Sequence, residues 1–233
     1  MTVSRLKMLL TSSGITNPSI REALTDLLGK PIEESSALYV PTGIYPFSVG
    51  PQHAYRQISG DSKAHLCDQG WKSVGVLELT ALPSIRADAW KPVIEATDAL
   101  IVGGGHPAYI TYWMRKSGLA DMLPALSNLV YVGVSAGAIT MTPINTDAES
   151  NLLSLPEGSD IAHDITRCLG FTDFAIYPHL NHPVMSDTTT ENIERWASGI
   201  PVPTFAIDDD TAIKVVNGNV EIISEGTWIL FNG

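Results

Sequence analysis

Val130-Tyr131-Val132-Gly133-Val134-Ser135-Ala136-Gly137-Ala138 is the stretch whose reading decides the fold. Its first half is apolar and rich in β-branched residues, which predicts a buried strand. Its second half is small, so a helix can begin without delay. Between them, Gly133 to Gly137 fits Gly-x-Ser-x-Gly. That pattern marks a sharp strand-to-helix turn, with glycine on both sides of the serine because larger side chains would strike neighbouring backbone. Such a turn lifts the Ser135 hydroxyl out at the sheet edge. It also aims the first amides of the next helix at the same point.

Working outward, apolar runs alternate with helical patterns along most of the chain. Strands are expected at Lys7 to Thr11, Ala37 to Val40, Val74 to Leu79, Ala99 to Val102, Leu129 to Val134 and Phe174 to Tyr177. Asn17-Pro18 reads as a helix start, followed by Ile20, Ala23, Leu24, Leu27 and Leu28 at helical spacing, with Gly29 as the stop. Further helices are expected from His53 to about Gln69, Pro83 to Ala96, Pro107 to Ser117, within Leu119 to Leu129, and from Thr188 to Ala197. Asn145 to Thr166 reads as a long polar loop. Near the end, Asn217-Gly218 separates two β-branched runs, Thr211 to Val216 and Asn219 to Ile223, which is a strong hairpin signal. The pattern predicts one α/β domain over residues 1–233: a mostly parallel sheet, helices on both faces and a C-terminal β-hairpin. Ligands of such sheets bind beyond the carboxyl ends of the strands. Both Ser135 and Gly103-Gly104-Gly105 fall there.

Composition narrows the partners. The 233 residues are 44% hydrophobic and 17% charged, as in a globular protein, and carry a formal net charge of −11. That balance argues against nucleic acid or an anionic membrane as a partner. Cys67 and Cys168 lie far apart without metal-ligand spacing and read as two reduced, buried thiols. No apolar run reaches the roughly 18 residues of a membrane span, and the first residues lack a signal core, so the expected location is cytoplasmic. The late hairpin can leave an exposed edge strand, which makes a homodimer an expectation.

A serine hydroxyl needs a base within hydrogen-bond reach before it can attack. His179 follows an expected strand and is held between Pro178 and a polar loop, which puts it on the same rim as Ser135; His182 is the fallback. His53 and His65 fall on an expected surface helix, and His163 in the polar loop. The negative charge formed during acyl transfer needs fixed donors. Gly104 and Gly105 can supply backbone N–H groups, and the amide of Ala136 is the usual second donor at such a turn.

Val102-Gly-Gly-Gly-His-Pro107, Gly133-Val-Ser-Ala-Gly-Ala138 and Tyr177-Pro-His-Leu-Asn-His182, in this order, resemble peptidase E, the aspartyl dipeptidases of serine peptidase family S51. Leu10-Thr-Ser-Ser-Gly14 and Tyr39-Val-Pro-Thr-Gly43 are similar to that family as well. The resemblance implies an architecture like class I glutamine amidotransferases and flavodoxin. It implies a Ser135–His179 pair, an oxyanion hole at the glycine turn and cleavage of dipeptides with an N-terminal aspartate, without metal or cofactor. The family usually has asparagine after the glycine triplet, where this chain has His106, so His106 is expected to shape the substrate pocket. The family also places an acid after the serine to orient the histidine. Glu149 is the first candidate here and Asp147 the second, with Asp160 and Asp164 beyond. A cation for the substrate carboxylate would come from Arg56, Arg115 or Arg195. Two alternatives remain: a cyanophycinase-like or other isopeptidase, and a catalytically silent homologue that binds a small molecule.

Overall fold

The computed structural model describes residues 6–147 and 165–233. Their strands form two sheets. The larger is built from β1 (Lys7–Thr11), β2 (Ser36–Val40), β3 (Ser73–Val76), β4 (Ala99–Val102), β5 (Val130–Val134), β8 (Thr211–Val216) and β9 (Asn219–Ser224), in the order β3-β2-β4-β5-β1-β8-β9. The first five run parallel, while β8 and β9 are antiparallel to their neighbours. The smaller sheet has the order β10-β7-β6, from β6 (Ala175–Tyr177), β7 (Thr204–Ile207) and β10 (Trp228–Phe231).

Every residue of β4 and β5 is buried, because the central strands are covered on both faces. Leu9 and Leu10 show the resulting division, since neighbours in a strand point to opposite sides. Leu9 packs with Ile20, Ala23, Leu24 and Leu27 of α1 (Pro18–Leu28). Leu10 joins the other cluster, with Trp90 and Ile94 of α3 (Ala87–Glu95) and Ile110 and Met114 of α4 (Pro107–Lys116). Asn17 caps α1 by accepting from the Ile20 amide at 3.0 Å, and Gly29 ends it at a φ of +70°.

Three sequence expectations need correction. The helix expected from His53 to about Gln69 is α2 (Gly50–Ile58), shorter and earlier. Pro51 fits its first turn, and only Gly50 and Ala54 are buried on it, so no apolar stripe extends it past Gly60. The third strand stops at Val76, because Thr42 Oγ1 accepts the Leu79 amide at 3.1 Å in place of a ladder partner. The strand expected at Phe174 to Tyr177 is β6, and it pairs in the smaller sheet with β7, a four-residue strand after Pro201-Val202-Pro203 that the apolar pattern did not mark.

The register positions the site. Val102 of β4 pairs with Gly133 of β5, and Thr11 of β1 pairs with Val134 of β5 and Ala212 of β8. Because β8 runs against β1, its start lies at the edge where the parallel strands end. Gly103, Ser12, Ser135 and Asp209 are therefore brought to one rim by strand pairing alone.

Candidate active site

Ser135 sits between β5 and the short helix α6 (Ala136–Ile139) with φ +50° and ψ −112°. Few non-glycine residues adopt a positive φ, and here the turn imposes it. Both flanking glycines are required by contact. A Cβ on Gly133 would lie 2.8 Å from the Ala138 Cα, and one on Gly137 would overlap the Val102 carbonyl oxygen. The turn is tied to β1, because the Ser135 amide donates to the Thr11 carbonyl at 3.0 Å.

His179 follows β6 and Pro178, also at a positive φ, +63°. Its Nε2 lies 2.9 Å from Ser135 Oγ. Its Nδ1 lies 2.7 Å from Asp209 Oδ1. Among the described residues the carboxylate on the imidazole is Asp209, from the turn before β8, which was not among the acids expected. Glu149, Asp160, Asp164 and His163 lie outside the described residues. Asp147 is within the electrostatic reach of His179 but does not occupy Nδ1. Burial and then Asp187 push the Asp147 carboxyl up to about 7, with His179 pulling the other way. Burial also raises the Asp209 carboxyl, but bonds from His179 and Ser12 and the fields of His179 and His182 more than offset it, leaving it below its ordinary value. His182, the fallback base, instead places Nε2 3.7 Å from Asp209 Oδ2.

The glycine turn is next to the serine. A Cβ on Gly104 would lie 3.5 Å from Ser135 Cβ, so this backbone faces the hydroxyl. Gly105 is packed the other way, against Gly43, at a φ of +130°. Ala136 opens α6 beside Ser135. His106 is 1% exposed and caps α4: its Nδ1 accepts from the Tyr109 amide at 3.3 Å, and its own amide donates to Gly43 at 2.8 Å. An asparagine would offer the same acceptor, which explains in physical terms how the two can exchange there. Of the three arginines considered for the substrate, Arg195 pairs with Glu191 at 3.3 Å on α7 (Thr190–Ala197). Arg115 donates to the Cys168 carbonyl at 2.9 Å, and Arg56 lies exposed in the last turn of α2. Among the described residues no group of three or more His, Cys, Asp or Glu is placed to hold a metal, and no helix is long and apolar enough to cross a membrane.

The geometry is that of an α/β enzyme with its chemistry at the carboxyl edge of a parallel sheet. The model of peptidase family S51 matches residues 8–223, and the chain belongs to that family. It is thus a peptidase, a hydrolase of peptide bonds. Among solved structures, a Listeria monocytogenes EGD-e protein whose name assigns it provisionally to peptidase E aligns with a TM-score of 0.64 at 15% identity, covering 95% of this chain and 99% of that one. A peptidase from an acI-B1 Actinobacterium aligns with a TM-score of 0.61 at 16% identity, covering 97% of each chain. At such identities these likenesses speak to the fold. No curated protein matches the chain in sequence.

Proposed function

We propose that the protein is a serine peptidase in which Ser135 is the nucleophile, His179 the general base and Asp209 the acid that orients it. The observation that carries this reading is the series Ser135 Oγ to His179 Nε2 at 2.9 Å and His179 Nδ1 to Asp209 Oδ1 at 2.7 Å. His179 takes the serine proton as Oγ attacks the scissile carbonyl, then gives it to the leaving amine; water resolves the acyl-enzyme by the same route. Asp209 stays ionised and stabilises the imidazolium. The amides of Gly104 and Ala136 receive the oxyanion.

The substrate we propose is a short peptide, a dipeptide with a free amino terminus, with aspartate as its first residue on the family resemblance. Asp209 is bonded to His179, and Asp187 lies within the electrostatic reach of Asp147, which in turn reaches His179. The negative charge of Asp209 and Asp187 supports the recognition of an α-ammonium group. The test is a fluorophosphonate probe together with a peptide panel. Wild-type protein should be labelled at Ser135 and should hydrolyse free dipeptides faster than N-acetylated ones, while Ser135→Ala does neither. Wild-type turnover in Ser135→Ala would sink the assignment. A preference for β-linked over α-linked aspartyl peptides would move it to an isopeptidase.

A further inference from the structure

We propose that Ser12 is a positioning residue of the same centre: its hydroxyl, held between the backbone of His179 and the carboxylate of Asp209, fixes the aim of the imidazole at Ser135. The proposal rests on the reading of Ser135, His179 and Asp209 as a hydrolytic group. Ser12 is fully buried and follows the last residue of β1.

A hydroxyl has one proton to give and two lone pairs to accept with. The His179 amide donates to Ser12 Oγ at 2.8 Å. An ionised carboxylate can only accept, so the Ser12 proton goes to Asp209 Oδ1, 2.8 Å away. With its proton committed, Ser12 cannot donate to His179 Nδ1, which lies 3.3 Å from the same oxygen. Nδ1 must then carry its own hydrogen, donated to Asp209 Oδ1. That leaves Nε2 bare and facing the Ser135 hydroxyl, the form a general base requires. The carboxylate alone demands this tautomer, and the Ser12 hydroxyl, its proton given to Asp209, holds the acid and the His179 backbone in the arrangement that uses it.

The same bond anchors strained backbone. His179 holds a positive φ, and its amide is tied to Ser12. The preceding residue does the equivalent for the nucleophile, because the Thr11 carbonyl accepts the Ser135 amide at 3.0 Å. Thr11 also reaches sideways, its hydroxyl donating to the Gly133 carbonyl and accepting from the Gly14 amide, both at 3.0 Å. Two consecutive residues at one strand end thus hold all three members of the proposed group.

The test compares Ser12→Ala and Ser12→Thr in the full chain, with Ser135→Ala alongside. The titratable groups that face the pair are His182 beside Asp209, Asp147 near His179, Asp187 beyond it, and Asp208 and Asp210 in the same turn. They are present in every variant, so differences between profiles report on Ser12. In Ser12→Ala, kcat should fall about 10–100-fold with KM changed less than about twofold, the scale of a small misplacement of a catalytic group. The pH profile of kcat should differ from that of the wild type, because Asp209 loses a bond that favours its ionised form and meets the imidazole with altered charge. Ser12→Thr keeps the hydroxyl and should recover most of the rate. The downfield NMR resonance of the His179 Nδ1 proton should be lost or displaced in Ser12→Ala and return in Ser12→Thr. An unchanged kcat, pH profile and resonance in Ser12→Ala would overturn the proposal, as would equal impairment of the two variants. Should Ser135→Ala remain active, the hydrolytic reading fails, and the resonance comparison still decides whether Ser12 positions the imidazole against Asp209.

Discussion

Asp209 Oδ1 and His179 Nδ1 lie 2.7 Å apart: His179 follows β6, and Asp209 stands in the turn that leads from β7, the parallel neighbour of β6, into β8 of the larger sheet. Their meeting ties the small sheet to the large one at the rim where Ser135 emerges. It also fixes which acid matters. Asp209→Asn should lower kcat by about 10³ to 10⁴, because an amide at this position favours the wrong imidazole tautomer. Asp147→Asn and Glu149→Gln should each retain most of the wild-type kcat. Steady-state kinetics on the three variants check this, and a large loss confined to Glu149→Gln would reverse the assignment.

Two carboxylates of the site should give stability a pH dependence of opposite sign. Asp147 keeps its proton up to about pH 7 in the folded chain, whereas the unfolded chain releases it near the ordinary value of 3.8. Stability due to this group therefore falls as pH rises through that window, and the loss is complete above it. Asp147→Asn should be more stable than wild type by a margin that opens between those pH values and reaches about 1–2 kcal/mol at alkaline pH, after allowance for solvent screening. Asp209 is the reverse: its folded value is lowered, so its contribution is present above the ordinary carboxylate range and lost as pH falls through the folded value. Asp209→Asn should blunt acid unfolding. Chemical denaturation across a pH series measures both, and a margin for Asp147→Asn that does not vary with pH would contradict the first.

Alanine placed at different glycines of the site should have different consequences. At Gly133 and Gly137 the new methyl meets backbone, of α6 in one case and of Val102 in the other. Each should cost about 1–3 kcal/mol or more, seen as a lower Tm or as insoluble protein. At Gly104 the methyl reaches Ser135 Cβ at 3.5 Å, an ordinary contact. Gly104→Ala should therefore fold with a near wild-type Tm yet lose kcat by about 10² or more, because the methyl occupies space proposed for the oxyanion.

His106 gives a prediction about a cap. His106→Ala removes the acceptor for the Tyr109 amide and should destabilise the protein by about 1 kcal/mol. His106→Asn keeps an acceptor and should stay close to wild type. Thermal melts of the pair decide it, and equal losses in both would show that the imidazole matters for its packing and not for the cap.

The parts of the fold legible in sequence were those where backbone geometry restricts the residue type. The turn at Ser135 needs glycine at two positions, the hairpin needs Asn217-Gly218, and α1 carries its cap and its stop in Asn17 and Gly29. The central strands were legible because burial on both faces demands unbroken apolar runs. Asp209 was missed because it stands in Asp208-Asp209-Asp210, which reads as a solvated turn, and no spacing rule links an acid to a histidine that follows another strand. One signal was present: an antiparallel strand beside β1 must begin at the carboxyl edge, so an acid just before Thr211 is delivered to the rim. Ser12 was hidden for a related reason, since a small polar residue after a strand has many uses. The helix at residues 50–58 was misplaced because a polar segment without an apolar stripe gives no period to follow.

The pairing of β1 between β5 and β8 has a consequence for a chain being made on the ribosome. β1 emerges before either of its neighbours and stays without the second of them until β8 has been synthesised. Ser135 and His179 leave the exit tunnel before Asp209, and before the hairpin that closes the sheet around Ser12. On the proposed layout the three side chains can meet only once Asp209 and β8 have been made, so a copy that stops short of them poses no threat to the peptides around it.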